Sequence, residues 1–405
     1  MSGHACTRGS GDEQEVRVLH VISGGDVGGA KTHVLLLLRG LSQRIRVKLA
    51  CLTAGPFFQE AREAGLDVVL LAQRSRYDLL VLRDLLGLVD SGGFQILHSH
   101  GPRANFLISL LKPFCKLPLV TTVHSDYLLD FAGNVYKTLL YGNLNRLALR
   151  CFDYYVAVSD SFRRMLLDRG FPPDRVFTIY NGIDFSDTPP SAPRQEVLRE
   201  LGLPIPPSGI LVGIVGRLAP VKGHAVLLRA ASLVARKHPE VHFLILGDGD
   251  EKPRLQALAR ALGISERVHF LGYHPRPDRI LATFDINVLA SFSESFPYAL
   301  LEGARLALAT VSSDVGSVSE LVIDGQTGLL YPPGDTEALA RCLTDLVSQP
   351  ELRRELGHRL YEHARSRFSV ENMTEQQLAI YHTILRRESK DGRKHGESPP
   401  APHAR

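Results

Sequence analysis

The sequence predicts two Rossmann-like α/β domains in series, each a parallel sheet covered by helices, facing one another across a cleft. Three observations carry that expectation. At 405 residues, 44% of them hydrophobic, the chain is too long for one ordinary core and apolar enough to bury two. Short β-branched runs alternate with helix-period segments through both halves, which is the pattern of βα units. A proline-rich stretch, from Pro189 to Pro207, separates the halves as a linker does.

In the first half, strands are expected at 17–22, 47–52, 67–71, 96–98, 118–124, 154–158 and 176–180. The second half repeats the scheme at 210–215, 241–246, 268–271, 286–290 and 310–312, with helices such as 225–237 and 253–262 between them. The resulting division is a tail over 1–15, a first domain over 16–187, a linker over 188–208 and a second domain over 209–370. A helix over 371–387 could cross back to the first domain. After Arg387 the sequence is polar, basic and proline-bearing, as disordered tails are. Open parallel sheets bind ligands beyond the carboxyl ends of their strands, so chemistry is sought in the βα loops lining the cleft.

Composition removes several function classes. A formal net charge of +4 is too weak for the dense cationic surface of a nucleic-acid binder. The five cysteines, Cys6, Cys51, Cys115, Cys151 and Cys342, form no CxxC pair, so neither a zinc knuckle nor a disulfide framework is suggested. Residues 1–15 are polar and acidic, unlike a secretory signal, and the longest apolar runs fall far short of the roughly 20 residues of a spanning helix. A cytoplasmic protein is expected, with any membrane contact peripheral.

Four loops could carry chemistry. The first strand runs into Ser23-Gly24-Gly25-Asp26-Val27-Gly28-Gly29-Ala30, where Gly28 and Gly29 let the backbone approach a ligand and the following helix offers N–H groups to an anion. A tight turn with no ligand is the plain alternative. The dinucleotide fingerprint is not met, because Asp26 stands where the second glycine is needed. The strand over 118–124 delivers His124 to the cleft, although a lone histidine is often structural. The strand over 210–215 is followed by Gly216-Arg217-Leu218-Ala219-Pro220-Val221-Lys222-Gly223. Its two cations could neutralise a diphosphate without a metal, Arg217 as a fork and Lys222 as a point charge. Solvated surface charge is the alternative.

The most specific signal is Ser291-Phe292-Ser293-Glu294-Ser295-Phe296-Pro297-Tyr298-Ala299-Leu300-Leu301-Glu302. Glu294 closes a loop, Pro297 suits a helix start, and Glu302 lies about one turn inside that helix. Carboxylates then flank a helix N-terminus that attracts phosphate, and they offer acceptors to sugar hydroxyls. Simple capping by Glu294, with Glu302 on a solvated face, is the competing reading.

Together these pieces resemble the retaining glycosyltransferases of the GT-B fold, in particular the fourth glycosyltransferase family (group 1 glycosyltransferases). The resemblance spans about residues 16 to 385. It rests on the E-x7-E pair Glu294 and Glu302, on Arg217 with Lys222, on Tyr180-Asn181-Gly182-Ile183-Asp184, and on the run from Asp324 to Asp335. It implies a nucleoside-diphosphate-sugar donor and an acceptor saccharide or glycolipid, with no cofactor and no metal. By the same resemblance Arg217 and Lys222 hold the diphosphate, Glu302 bonds the ribose and Glu294 the donor sugar. His124 lies against that sugar, Gly28 and Gly29 leave room for phosphates and acceptor, and the Ser295-Phe296-Pro297-Tyr298 segment adds donor contacts.

Some residues depart from the family pattern. Ser295 stands where glycine is frequent, and Ser317 and Ser319 replace a glycine and a proline, which bears on donor identity. Asp248-Gly249-Asp250 matches the metal-binding D-x-D of another transferase fold but reads as a loop here. A helix over 136–151 with Arg146 and Arg150 on its flank suits anionic lipid headgroups, as a glycolipid acceptor in cell-envelope polysaccharide synthesis would require. An ordinary helix packed on the sheet is the bland reading. Two rivals remain, a nucleotide-sugar epimerase on the same architecture and a non-catalytic nucleotide-sugar-binding module.

Overall fold

Runs rich in leucine, isoleucine and valine form strands, and those at the middle of the sheets, such as Val241–Leu246, are buried on both faces. In the structure, a computed structural model describing residues 15–25, 28–75, 78–126, 143–186, 192–274 and 276–396, they assemble into two sheets. The first contains β1 (Arg17–Ile22), β2 (Arg46–Cys51), β3 (Val68–Leu70), β4 (Ile96–His100), β5 (Leu119–Val123), β6 (Tyr154–Ala157) and β7 (Val176–Thr178). Their order is β3-β2-β1-β4-β5-β6-β7, and each pairing is parallel. The second contains β8 (Ile210–Val215), β9 (Val241–Leu246), β10 (Val268–Gly272), β11 (Ile286–Leu289), β12 (Ala309–Ser313) and β13 (Leu329–Tyr331), ordered β10-β9-β8-β11-β12-β13 and likewise parallel. The strand order reverses between β1 and β4 and again between β8 and β11. Each reversal opens a crevice at the carboxyl ends of the strands.

Helices cover both faces. On one side of the first sheet, the helix Gly29–Leu41 buries His33, Val34, Leu37, Leu38 and Leu41. Val34, Leu37, Leu38 and Leu41 share a core with Met373, Ile380, Tyr381 and Ile384 of the helix Val370–Gly396. The end of the chain therefore completes the core of its beginning. That helix runs on to Gly396, past Arg387, where the sequence analysis starts a disordered tail. In the second domain the helices His224–Ala235 and Thr336–Ser348 pack on the sheet through Leu227, Leu228, Leu339 and Leu343.

The proline-rich stretch is broken by a short helix, as the helical pattern around residues 197–201 leads one to expect. Residues 194–200 form a helix whose Val197 and Leu198 are buried with Leu244 and Leu246 of the second domain. Of the helix expected over 136–151, the part before Asn143 lies outside the described residues. The remainder, Asn143–Leu149, buries Asn145, Ala148 and Leu149 but leaves Leu144 and Leu147 exposed. Leu144 and Leu147 therefore face outward, beside exposed Arg146 and Arg150.

Backbone and side-chain contacts fix the domains to each other. Ile183 exchanges backbone hydrogen bonds with Phe368 and Val370 (3.0 and 3.1 Å). The Glu320 carboxylate accepts from the backbone N–H groups of Asp160 and Ser161 (3.0 and 2.9 Å). A second-domain side chain thereby caps the first-domain helix Asp160–Asp168, with its charge at the favourable end of the helix dipole.

Candidate functional site

At the reversal of the second sheet, β8 delivers Arg217 and Lys222 opposite the loop that follows β11. Gly223 has φ +64°, and a Cβ there would stand 1.9 Å from the carbonyl oxygen of Ala290. Only glycine lets this loop press against the end of β11. The Phe292 N–H then donates to Val221 O at 2.7 Å, and Lys222 Nζ reaches Glu294 Oε1 at 2.6 Å. Ser291 Oγ donates to the same oxygen at 2.6 Å. The Glu294 side chain is 8% exposed, and Lys222 and Ser291 are its partners there. Arg217 remains exposed.

Eight residues after Glu294, Glu302 lies inside the helix Tyr298–Arg305. Its carboxylate has no hydrogen-bond or ion-pair partner among the described residues. Burial pushes its pKa up to about 7, with Arg305 opposing and Asp278 adding. The Tyr298 hydroxyl is also buried without a partner. Burial and the neighbouring Glu302 raise its pKa well above the ordinary value. Unpaired polar groups of this kind are costly in a finished core and typical of a binding site. The first domain reaches the same place, because a Cβ on Gly29 would lie 3.5 Å from the Tyr298 ring. Gly28, at φ +80° with nothing near its Cβ position, starts the helix Gly29–Leu41.

His124 follows β5 and is partly exposed. Behind it, in the crevice between β1 and β4, stand residues that sequence reasoning missed: His20, His98 and His100, with Thr122 on β5 and Tyr381 from the C-terminal helix. Their hydrogen bonds run from His124 Nε2 to His100 Nδ1 (3.3 Å) and from His100 Nε2 to His20 Nδ1 (2.9 Å). His20 Nε2 then meets the Tyr381 hydroxyl (3.1 Å), which meets His98 Nδ1 (2.6 Å). His98 Nε2 ends the series on Thr122 Oγ1 (2.8 Å). Burial drives the His20 pKa to about 3 and those of His98, His100 and His124 well below the ordinary value. The available signal was His98-Ser99-His100, because residues two apart on a strand share a face and His20 pairs with His98 in the β1–β4 register.

A separate hydrogen-bonded pair, in ring contact with His124, leads to the second domain. Asn181 Nδ2 donates to the Phe296 carbonyl at 2.7 Å, so Asn181 Oδ1 must accept from His33 Nδ1, 2.9 Å away. The ring of His33 lies 4.9 Å from that of His124. Glu294, Lys222 and Ser291 are thus in direct contact, while His124 reaches the Phe296 loop only through His33 and Asn181. Ser295 and Ser317, two of the departures from the family pattern, touch each other, the Ser317 hydroxyl donating to the Ser295 carbonyl. Asp248 lies in a turn where it caps Gly249 N–H and pairs with Lys252 at 3.6 Å.

Comparison with known proteins finds relatives over both domains. A model described as glycosyl transferases group 1 matches residues 202–363, and one described as glycosyltransferase family 4 matches residues 27–187. Alpha-maltose-1-phosphate synthase of Mycolicibacterium smegmatis is 31% identical over 382 residues, covering 88% of this chain and 96% of that protein. D-inositol 3-phosphate glycosyltransferase of Rhodococcus erythropolis is 30% identical over 400 residues, covering 88% and 87%. The crystal structure of Anabaena HepE with UDP and glucose superposes with a TM-score of 0.79 at 20% identity, over 91% of this chain and all of that one.

Proposed function

The chain belongs to the group 1 glycosyltransferases, and from that premise we propose that it takes a sugar from a nucleoside-diphosphate donor, without a metal and with retention of anomeric configuration. The observation that carries this reading is the second-domain arrangement, where the loop after β8 carries the cations Arg217 and Lys222 and the helix after β11 carries Glu302, a carboxylate with no hydrogen-bond or ion-pair partner among the described residues. Arg217 and Lys222 hold the diphosphate, and Glu302 accepts from the ribose hydroxyls. Glu294, released from Lys222 as the phosphates arrive, turns to the donor sugar. Gly28 and Gly29 leave space beside it, and the Ser295–Tyr298 segment contributes backbone N–H groups.

In the transfer, the bond from the anomeric carbon to the diphosphate breaks, and the acceptor oxygen bonds to the same face. The acceptor proton passes to the departing phosphate, so no protein nucleophile is required. Rate enhancement then comes from positioning and from stabilisation of the leaving charge. UDP is the first nucleotide to test, because Anabaena HepE was crystallised with it. Sugar transfer would be assayed with UDP-, GDP- and ADP-sugars in the presence of a chelator. Anomeric configuration of the product is read by coupling constants, and an inverted product or strict dependence on added metal would overturn the reading.

For the acceptor, two readings each have support. Curated relatives are named for D-inositol 3-phosphate and L-malate, which favours a small anionic hydroxyl compound. Exposed Leu144 and Leu147 beside Arg146 and Arg150 favour a glycolipid met at a membrane surface. Sedimentation with anionic vesicles separates them, since a small soluble acceptor needs no such binding.

A further inference from the structure

The buried histidines of the first domain form one unbranched chain of hydrogen bonds, His124–His100–His20–Tyr381–His98–Thr122. Because burial keeps each ring neutral, each imidazole has one N–H and one lone pair. Each ring therefore passes the direction on. It could reverse only at the Tyr381 hydroxyl, which could accept from both His20 and His98, but its own hydrogen, buried with no other partner among the described residues, would then be orphaned. Two continuous patterns remain.

In the inward pattern, His124 Nε2–H donates to His100, and the sequence of donations ends with His98 Nε2–H giving to Thr122 Oγ1. The Thr122 hydroxyl hydrogen is then left over. Thr122 is 1% exposed, and His98 is its one side-chain partner among the described residues, so that hydrogen is orphaned. In the outward pattern the Thr122 hydroxyl donates to His98 Nε2, His98 Nδ1–H to Tyr381, and Tyr381 to His20 Nε2. His20 Nδ1–H then donates to His100 Nε2, and His100 Nδ1–H to His124 Nε2. Every buried hydrogen finds an acceptor, and the one left at the end, on His124 Nδ1, belongs to a residue at the cleft. Leaving a buried donor unsatisfied is the costlier choice.

We propose that this chain holds His124 as its Nδ1–H tautomer, so that His124 meets the ligand as a hydrogen-bond donor and not as a base, with Thr122 as the positioning residue that sets the direction. What such a donor takes is an oxygen lone pair of the substrate, a sugar hydroxyl or a phosphate oxygen. Naming that oxygen rests on the glycosyl-transfer reading, whereas the tautomer does not. Metal binding by His20, His98 and His100, whose ligand atoms lie within 4.8 Å of one another, is the weaker use of these groups. Their nitrogens are all engaged in the chain, and the rings stack, at 24° for His98 with His100 and 8° for His20 with His100.

The test is long-range ¹H–¹⁵N correlation NMR on the ¹⁵N-labelled full chain without ligand, with the His124 signals identified by their loss in His124→Asn. The expected result is hydrogen on Nδ1, in excess by about tenfold or more. Thr122→Val, which removes the terminal hydroxyl and nearly keeps its shape, should bring both tautomers into view, and Thr122→Ser should restore the single form. Hydrogen on Nε2 in the wild type, or an unchanged tautomer ratio in Thr122→Val, would overturn the proposal. Neither readout depends on turnover, so an enzyme inactive toward every nucleotide sugar would leave this result standing.

Discussion

The two sheets reverse their strand order in the same way but furnish the resulting crevices oppositely. Between β1 and β4 the first domain places neutral rings and hydroxyls that satisfy one another, from His124 back to Thr122. Between β8 and β11 the second domain places charges, and one of them, Glu302, has no partner among the described residues while its pKa stands at about 7. A network satisfied within itself is rigid and leaves a ligand only the hydrogen at its open end, on His124. An unsatisfied charged one is tense until a ligand arrives. Binding energy should therefore come mainly from the second domain and orientation from the first.

The largest effect is expected where a charge loses its partner. Lys222→Ala leaves the nearly buried Glu294 without its counter-charge, with the Ser291 hydroxyl as its remaining partner, and should cost about 2–4 kcal/mol of stability in addition to weakening nucleotide binding. Chemical denaturation of Lys222→Ala and of Lys222→Ala with Glu294→Gln checks this, because the second substitution should recover part of the loss.

Glu302 comes next. Its folded pKa lies above its value of 4.5 in the unfolded chain, so the native state keeps a proton that the unfolded state has lost. Its contribution to stability thus falls as pH rises from about 4.5 to about 7 and stays low above. Glu302→Gln should melt like the wild type near pH 4 and be more stable at pH 8, by up to about 3 kcal/mol. If ribose hydroxyls donate to this carboxylate, nucleotide binding must also release a proton between those pH values. Calorimetry at pH 6 in two buffers of different ionisation enthalpy measures that release directly.

Arg217→Ala should weaken nucleotide binding by about 1.5–3 kcal/mol, the scale of a charge-assisted hydrogen bond, with little change in melting because the side chain is exposed. The smallest effect on binding should come from the first domain. Tyr381→Phe removes the hydroxyl that joins His20 to His98 and should cost about 1–2 kcal/mol of stability, yet leave nucleotide affinity unchanged. A loss of affinity in that variant would break the division of labour between the two crevices.

The fold was largely legible in the sequence because apolar strand runs punctuated by glycine are strong local signals. The expected strands at 17–22, 210–215 and 241–246 have the observed bounds. Strand β13 was not expected, since Leu329–Tyr331 is too short to show periodicity. The face of the helix Asn143–Leu149 was misjudged because Asn145, a polar residue, is buried while two leucines are not. In the second-domain site, contacts between close sequence neighbours such as Ser291 and Glu294 could be anticipated. The histidine chain could not, because it joins β1, β4, β5 and a helix near residue 381, and only the strand order brings them together.

The central claim is that Arg217, Lys222 and Glu302 form a nucleoside-diphosphate site that needs no metal. Its most direct test is calorimetric titration with UDP, GDP and ADP in the presence of a chelator. The account predicts that one of them binds, and that Arg217→Ala and Lys222→Ala each weaken it at least tenfold. Binding of none, binding that appears only with magnesium, or equal affinity in both variants would contradict it.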